Sequence, residues 1–196
     1  QITENKIEKL ISSQKADIRT GTVKIENKKL ESISLPRANY GTINQAATAL
    51  KKAMLVHQST LYVFVKSKSS EADQIYYDIE DKALSVTDNP VEGDYMFWDI
   101  SNRDVSYRAQ KSNGYYLYQF LIKIKYFTTL EQRSLVDDKV NQIIEELGFT
   151  SETTDYEKVK AVYDYVCKHV TYAKSLDDEI VFTAYSALYN GEAVCQ

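Results

Sequence analysis

Apolar residues recur at helical spacing in three stretches of this chain, and each stretch opens on the same polar signature. Ile43, Ala46, Ala47, Leu50, Ala53, Met54 and His57 fall on one face when wound at 3.6 residues per turn. Thr42, with Gln45 three residues later, supplies a side-chain acceptor for the free N–H groups of the first turn and takes one back in return. Thr129 with Gln132 opens a second helix carrying Leu130, Val136, Val140, Ile143 and Leu147, and Gly148 is its expected stop. Thr154 with Glu157 opens a third, from Asp155 towards Val170. Its apolar side holds Tyr156, Val159, Tyr163, Val166, Cys167 and Val170, with Asp164 and Lys168 on the wet side. On this pattern Cys167 is a core residue. A further helix is predicted from Glu71 to about Lys82. Its narrow stripe of Ile75, Tyr76 and Ile79 suits packing on a sheet, with Glu80 and Asp81 as solvated neighbours. Residues 2–11 form a shorter candidate, with Ile7, Leu10 and Ile11 on one side.

Between the helices the period changes to two. Thr22-Val23-Lys24-Ile25-Glu26 alternates as a strand, residues 30–35 are a less regular candidate, and Pro36 ends that pattern. Residues 61–65 are a continuous apolar run expected to be buried on both faces. Residues 95–100 are expected to form a strand, residues 101–104 a turn, and residues 105–110 a second strand. After Ser112-Asn113-Gly114 a long third strand places Tyr116, Tyr118, Phe120, Ile122, Ile124 and Tyr126 on one side. Leu117, Leu121, Lys123 and Lys125 take the other. Three strands with short turns read as an antiparallel meander. The predicted fold class is α+β: N-terminal helices packed on a mainly antiparallel sheet, forming an accessory domain over residues 1–127, then a helical region over residues 128–196.

Composition narrows the function classes. Among 196 residues 43% are hydrophobic and 27% charged, ordinary for a folded chain, and the net charge is −4 with no run of Lys or Arg. Lys123 and Lys125 lie inside an apolar strand pattern, so nucleic acid and anionic membranes are poor partners for this sequence. No stretch approaches the ~20 apolar residues that span a bilayer. The chain begins at Gln1 rather than Met, which reads as a processed product whose leader is removed. Sixteen tyrosines stand against two prolines and six glycines. An apolar ring with a polar tip suits a half-exposed sheet face, with or without a glycan or peptide ligand. Two cysteines are too few for a disulfide framework, and counting alone leaves a Cys167–Cys195 bridge open. No cofactor motif and no metal-ligand set is present. His57 and His169 each sit near a predicted helix C-terminus, where a positive charge is favoured, so structural roles are expected for both.

The candidate chemistry lies at the end. Tyr156-Glu157-Lys158-Val159-Lys160-Ala161-Val162-Tyr163-Asp164-Tyr165-Val166 precedes Val170-Thr171-Tyr172, then Thr183-Ala184-Tyr185, then Asn190-Gly191 and Val194-Cys195-Gln196. This order resembles the start of the transglutaminase-like (papain-like) domain of bacterial secreted proteins, over residues 129–196, about a third of the chain. One position departs from the resemblance: members of that family often carry Asp where this chain has Ala173. The resemblance implies that Cys195 is the nucleophile of a Cys-His-Asp triad performing thiol acyl transfer, either cross-linking protein or hydrolysing an amide. It also implies a secreted or cell-surface location and a protein or peptide substrate, with cell-wall components as a further class. Such a thiol needs its thiolate favoured by a helix N-terminus, and an imidazole to take and return the proton. In that family the His and Asp follow the cysteine, whereas His57 and His169 both precede it here. The expectation is therefore a truncated N-terminal part of the domain within a longer protein, with this fragment inactive on its own. Two other readings stay open: a non-catalytic cell-surface or cell-wall binding module using the Tyr-rich sheet, with Tyr116 and Tyr118 as its contacts, and a purely structural segment.

Overall fold

A computed structural model describes residues 23–27 and 39–194. The candidate helix at residues 2–11, the candidate strand at 30–35 and the candidate nucleophile Cys195 lie outside the described residues. The chain divides into two compact units: one runs through Asp94 and resumes from Ile100 to Lys125, the other joins Tyr95–Asp99 to Tyr126 and beyond.

The first unit is a four-stranded sheet with helices on one face. Strands β1 (Val23–Asn27), β2 (Thr60–Ser67), β3 (Ile100–Ser112) and β4 (Tyr115–Tyr126) stand in the order β1-β3-β4-β2. β2 runs antiparallel to β4, with Val63 opposite Phe120, and β1 runs parallel to β3, with Ile25 opposite Val105. β3 and β4 are joined by Asn113 and Gly114 alone, both with positive φ, the geometry a tight hairpin demands. The fold is α+β with a mainly antiparallel sheet, as the alternation of periods implied. Helices α1 (Ile43–Leu55) and α2 (Ala72–Ala83) cover one face. Thr42 and Gln45 cap α1 reciprocally, worth about 1 kcal/mol in such motifs. The long face of β4 behaves as its alternation requires: Tyr118, Phe120, Ile122 and Ile124 are buried. Tyr116, Tyr118 and Phe120 stack along the strand, and Tyr76 of α2 tilts onto Phe120 at 6.2 Å.

Three strand expectations fail, each for a local reason. Residues 95–100 are not a strand; Asp94–Trp98 is a short helix, α3, entered from Gly93 at φ +63. Its consecutive aromatic residues carry strand propensity, which a single turn at a chain reversal overrides. Residues 101–104 are not a turn but the start of β3, and β1 pairs with the last two of them, Val23 opposite Arg103 and Lys24 opposite Asp104. The meander is therefore a hairpin flanked on either side by strands from earlier in the sequence. β2 is buried on one face only: Val63 and Val65 are inside, while Tyr62 is 53% exposed, as fits an edge strand.

Glu80 is likewise not solvated. It lies one helical turn beyond Tyr76 on the buried stripe of α2, accepts the Tyr76 hydroxyl at 2.9 Å, and pairs with Arg103 of β3 at 3.1 Å. Burial, chiefly, pushes the Tyr76 phenol well above its ordinary value, with the Glu80 charge adding to it.

The second unit is helical. Helix α4 (Leu130–Leu147) opens on the Thr129–Gln132 capping box and stops at Gly148 in the left-handed conformation. Helix α5 (Asp155–His169) opens on Thr154–Glu157. None of its side chains is buried: Tyr156 is 76% exposed, Val159 69% and Tyr163 66%. Cys167, expected in a core, is exposed on this helix, because no described residue covers the stripe to which it belongs. Among the described residues no helix is long and apolar enough to cross a membrane.

Candidate functional site

The stretch that leads to Cys195 is held by a compact knot of backbone within the second unit. After α5 the chain forms strand β5 (Thr171–Tyr172), a 3-10 turn (Glu179–Phe182), a π-helical turn (Ser186–Asn190) and strand β6 (Glu192–Ala193). β5 and β6 pair in parallel, Thr171 opposite Glu192 and Tyr172 opposite Ala193. The amide of Thr171 donates to the Gly191 carbonyl at 2.8 Å, and the Thr171 hydroxyl donates to the same oxygen at 3.1 Å. Ala173 N–H donates to the Ala193 carbonyl at 2.9 Å, and Val194 N–H donates to the Val181 carbonyl at 3.1 Å. Backbone groups of Gly191, Ala193 and Val194, three of the four residues before the cysteine, are thus fixed by two separate segments.

Local sequence explains the knot. Asp178 accepts the Ile180 amide and starts the 3-10 turn. Thr183 closes that turn by donating its hydroxyl to the Ile180 carbonyl at 2.6 Å, and then accepts the Ser186 amide at 3.1 Å to begin the next one. Thr183 and Ser186 are buried, and both are satisfied, as buried polar groups must be. Tyr185 and Tyr189 stack at 5.1 Å, and the Tyr189 hydroxyl donates to the Leu135 carbonyl of α4. Gly191 ends the π-helical turn at φ +68, and a Cβ there would lie 3.2 Å from the His169 carbonyl. A side chain would therefore be disfavoured twice over, by backbone conformation and by contact. π-helical turns are uncommon and are frequent at functional positions.

Around this knot the titratable groups are engaged. The Nδ1 atom of His169 lies 2.8 Å from the Tyr165 carbonyl oxygen and its ring stacks on Tyr165 at 4.1 Å, so this imidazole is anchored to its own helix. His57 belongs to the first unit, where it follows α1 at φ +50. The Tyr163 phenol on the same helix has its pKa raised, chiefly by the neighbouring Cys167 thiol. Arg133 is buried with its guanidinium 4.9 Å from the centre of the Tyr95 ring, and the Tyr95 hydroxyl donates to Asp137 at 3.3 Å. Burial first, and the Asp137 charge second, push the Tyr95 phenol up to about 12. Asp99 accepts both the amide and the hydroxyl of Thr128. A small cavity of about 60 Å³ is lined by Trp98, Phe182, Thr183 and Tyr185 beside these groups. That is under half the ~150 Å³ that accommodates benzene, so it is a packing void rather than a substrate site. Among the described residues no cluster of His, Cys, Asp and Glu could hold a metal ion.

The structure thus places the approach to Cys195 and brings neither histidine's ring to a free position. Tyr118, offered by the sequence as a contact on a Tyr-rich binding face, is instead buried, with its hydroxyl on the Ser69 carbonyl. Comparison with models of known protein families, with curated proteins and with solved structures finds no match.

Proposed function

We propose that this chain is the N-terminal part of a secreted or cell-surface transglutaminase-like cysteine enzyme, with Cys195 as the nucleophile of thiol acyl transfer on a protein or peptide substrate. In this reading the sulfur attacks a carboxamide carbon, the amine leaves with a proton, and the resulting thioester is resolved by a second amine or by water. The observation that carries the reading is the pinned run-up from Gly191 to Val194. A nucleophile must stay within a fraction of an ångström of its productive position, and rigid main chain immediately before it is the cheapest way to achieve that. The order of motifs between Tyr156 and Gln196 supplies the chemical identity.

The exposed stripe of α5 supports the same reading. Val140 and Ile144 of α4 and Tyr156, Val159, Val162, Tyr163 and Val166 of α5 are all more than 40% exposed. Large apolar surfaces of this kind mark a face that another element covers. Under this proposal further polypeptide completes the core and brings the His and Asp of the triad. The full-length gene product should incorporate a fluorescent primary amine into a glutamine-bearing protein, or release ammonia or amine from an amide. Cys195→Ala should abolish both activities with the fold intact. Equal activity in that variant would end the proposal.

A further inference from the structure

The two turns that support the approach to Cys195 meet at a single buried side chain. Thr183 follows the 3-10 turn in extended conformation, at φ −122 and ψ 152, and precedes the π-helical turn. Its main chain serves both. The Thr183 N–H donates to the Ile180 carbonyl at 3.1 Å, and the Thr183 carbonyl accepts the Ala187 N–H at 3.2 Å. Its hydroxyl repeats the link, donating to the same Ile180 carbonyl at 2.6 Å and accepting the Ser186 N–H at 3.1 Å. One side-chain oxygen therefore closes the first turn and opens the second.

Each turn holds one end of the run-up. Val181, in the 3-10 turn, lends its carbonyl to the Val194 N–H at 3.1 Å. The π-helical turn ends at Gly191, whose carbonyl accepts the Thr171 amide and hydroxyl before β6 begins. What fixes the two turns relative to each other thus fixes the direction in which the chain leaves Val194. Packing does less of this than the hydroxyl. Phe182 stacks on Phe127 and Tyr185 on Tyr189, which steadies each turn separately. Thr183 itself lines the void of about 60 Å³ beside Trp98, so one side of the junction is not backed by protein atoms. Side chains around a void lack contacts there and give way more readily than those in a filled core.

We propose that Thr183 is a positioning residue for the nucleophile: its hydroxyl locks the 3-10 turn to the π-helical turn and so holds Cys195 where its thiol reacts. The proposal rests on the acyl-transfer reading and adds to it a residue that acts through the main chain. Reacting atoms displaced by about 1 Å can lose roughly a hundredfold in rate, so a modest shift at this junction is enough to be measured.

The test uses the full-length gene product. Alkylation of Cys195 and Cys167 by iodoacetamide is read by mass spectrometry at pH 6, and incorporation of a fluorescent primary amine is read as kcat and KM. Thr183→Ala and Thr183→Val remove the hydroxyl, and Thr183→Ser keeps it. Ala and Val should lower the Cys195-to-Cys167 rate ratio by about tenfold or more, and kcat by a similar factor with KM unchanged. Amide hydrogen exchange at Val194 should quicken in both. Ser should stay within about threefold of the wild type in every readout. Val sets a methyl group against the Ile180 carbonyl, so Ala carries the test if Val does not fold. A lower melting temperature with unchanged ratio and kcat would overturn the proposal, as would an equal loss in Ser. Misfolding of both Ala and Val would overturn it too, since the hydroxyl would then serve folding rather than placement. A wild-type ratio near one, or full activity in Cys195→Ala, would instead refute the acyl-transfer reading and take the positioning role with it.

Discussion

Helices α2 and α5 carry apolar stripes of similar spacing and end in opposite surroundings. On α2, Ile75, Tyr76 and Ile79 are at most 2% exposed, closed over the aromatic row of β4, and even Glu80 finds a buried cation. On α5, Tyr156, Val159 and Tyr163 remain more than 60% exposed, and no residue is buried. The difference teaches that periodicity reports which side of a helix is apolar, but not whether anything covers it. A finished core and an open one leave the same mark on the sequence.

That contrast can be broken at graded cost. Phe120→Ala in the first unit removes a wholly buried ring, and should destabilise by about 3–5 kcal/mol in urea unfolding. Arg103→Ala should cost about 3–5 kcal/mol as well, since it leaves Glu80 charged and enclosed; a loss below 1 kcal/mol would mean that the pair is already reached by water. In the second unit Gly191→Ala forces a side chain into the left-handed region and should cost about 1–2 kcal/mol. Its more telling effect, under the proposed function, is slower reaction of the thiol in the full-length product. Val159→Ser, on the open stripe, should change the stability of this chain by less than about 0.5 kcal/mol. A cost of 2 kcal/mol there would show that the stripe is already covered in solution.

Acid provides the gentlest comparison. Hydrogen bonds from Lys51 and Thr87 lower the pKa of Glu92 in the first unit, and Thr154 lowers that of Glu157 in the second. Both carboxylates have folded-state values below their ordinary 4.5. Each therefore contributes stability that is fully present above pH 4.5 and is lost as pH falls through the lowered value. Glu92→Gln and Glu157→Gln should each lower stability slightly near neutrality and leave it unchanged at pH below the lowered value, so that the acid limb of a stability-versus-pH curve flattens.

Much of the fold was legible because its signals are local. The three capping boxes, the stop at Gly148 and the buried alternation of β4 all depend on neighbours within a few residues. What was illegible depends on distant partners. Residues 101–104 read as a turn until β1 lies beside Arg103 and Asp104, and the stretch at 95–98 reads as a strand although it forms one helical turn. Glu80 had a usable signal, its position four residues after Tyr76 on the apolar stripe, and only its missing partner made it look solvated. Of the candidate site, the order of motifs was plain in the sequence, whereas the π-helical turn and the double use of the Gly191 carbonyl were not.

Everything functional rests on the sulfur of residue 195 being chemically distinct from an ordinary thiol, and the chain carries its own reference in the exposed Cys167. The decisive measurement is the rate of iodoacetamide alkylation at each cysteine of the full-length gene product between pH 5 and 8, read by mass spectrometry. The account predicts that Cys195 reacts at least tenfold faster than Cys167 at the acid end of that range, with the advantage shrinking as pH rises. Equal rates across the range would contradict it.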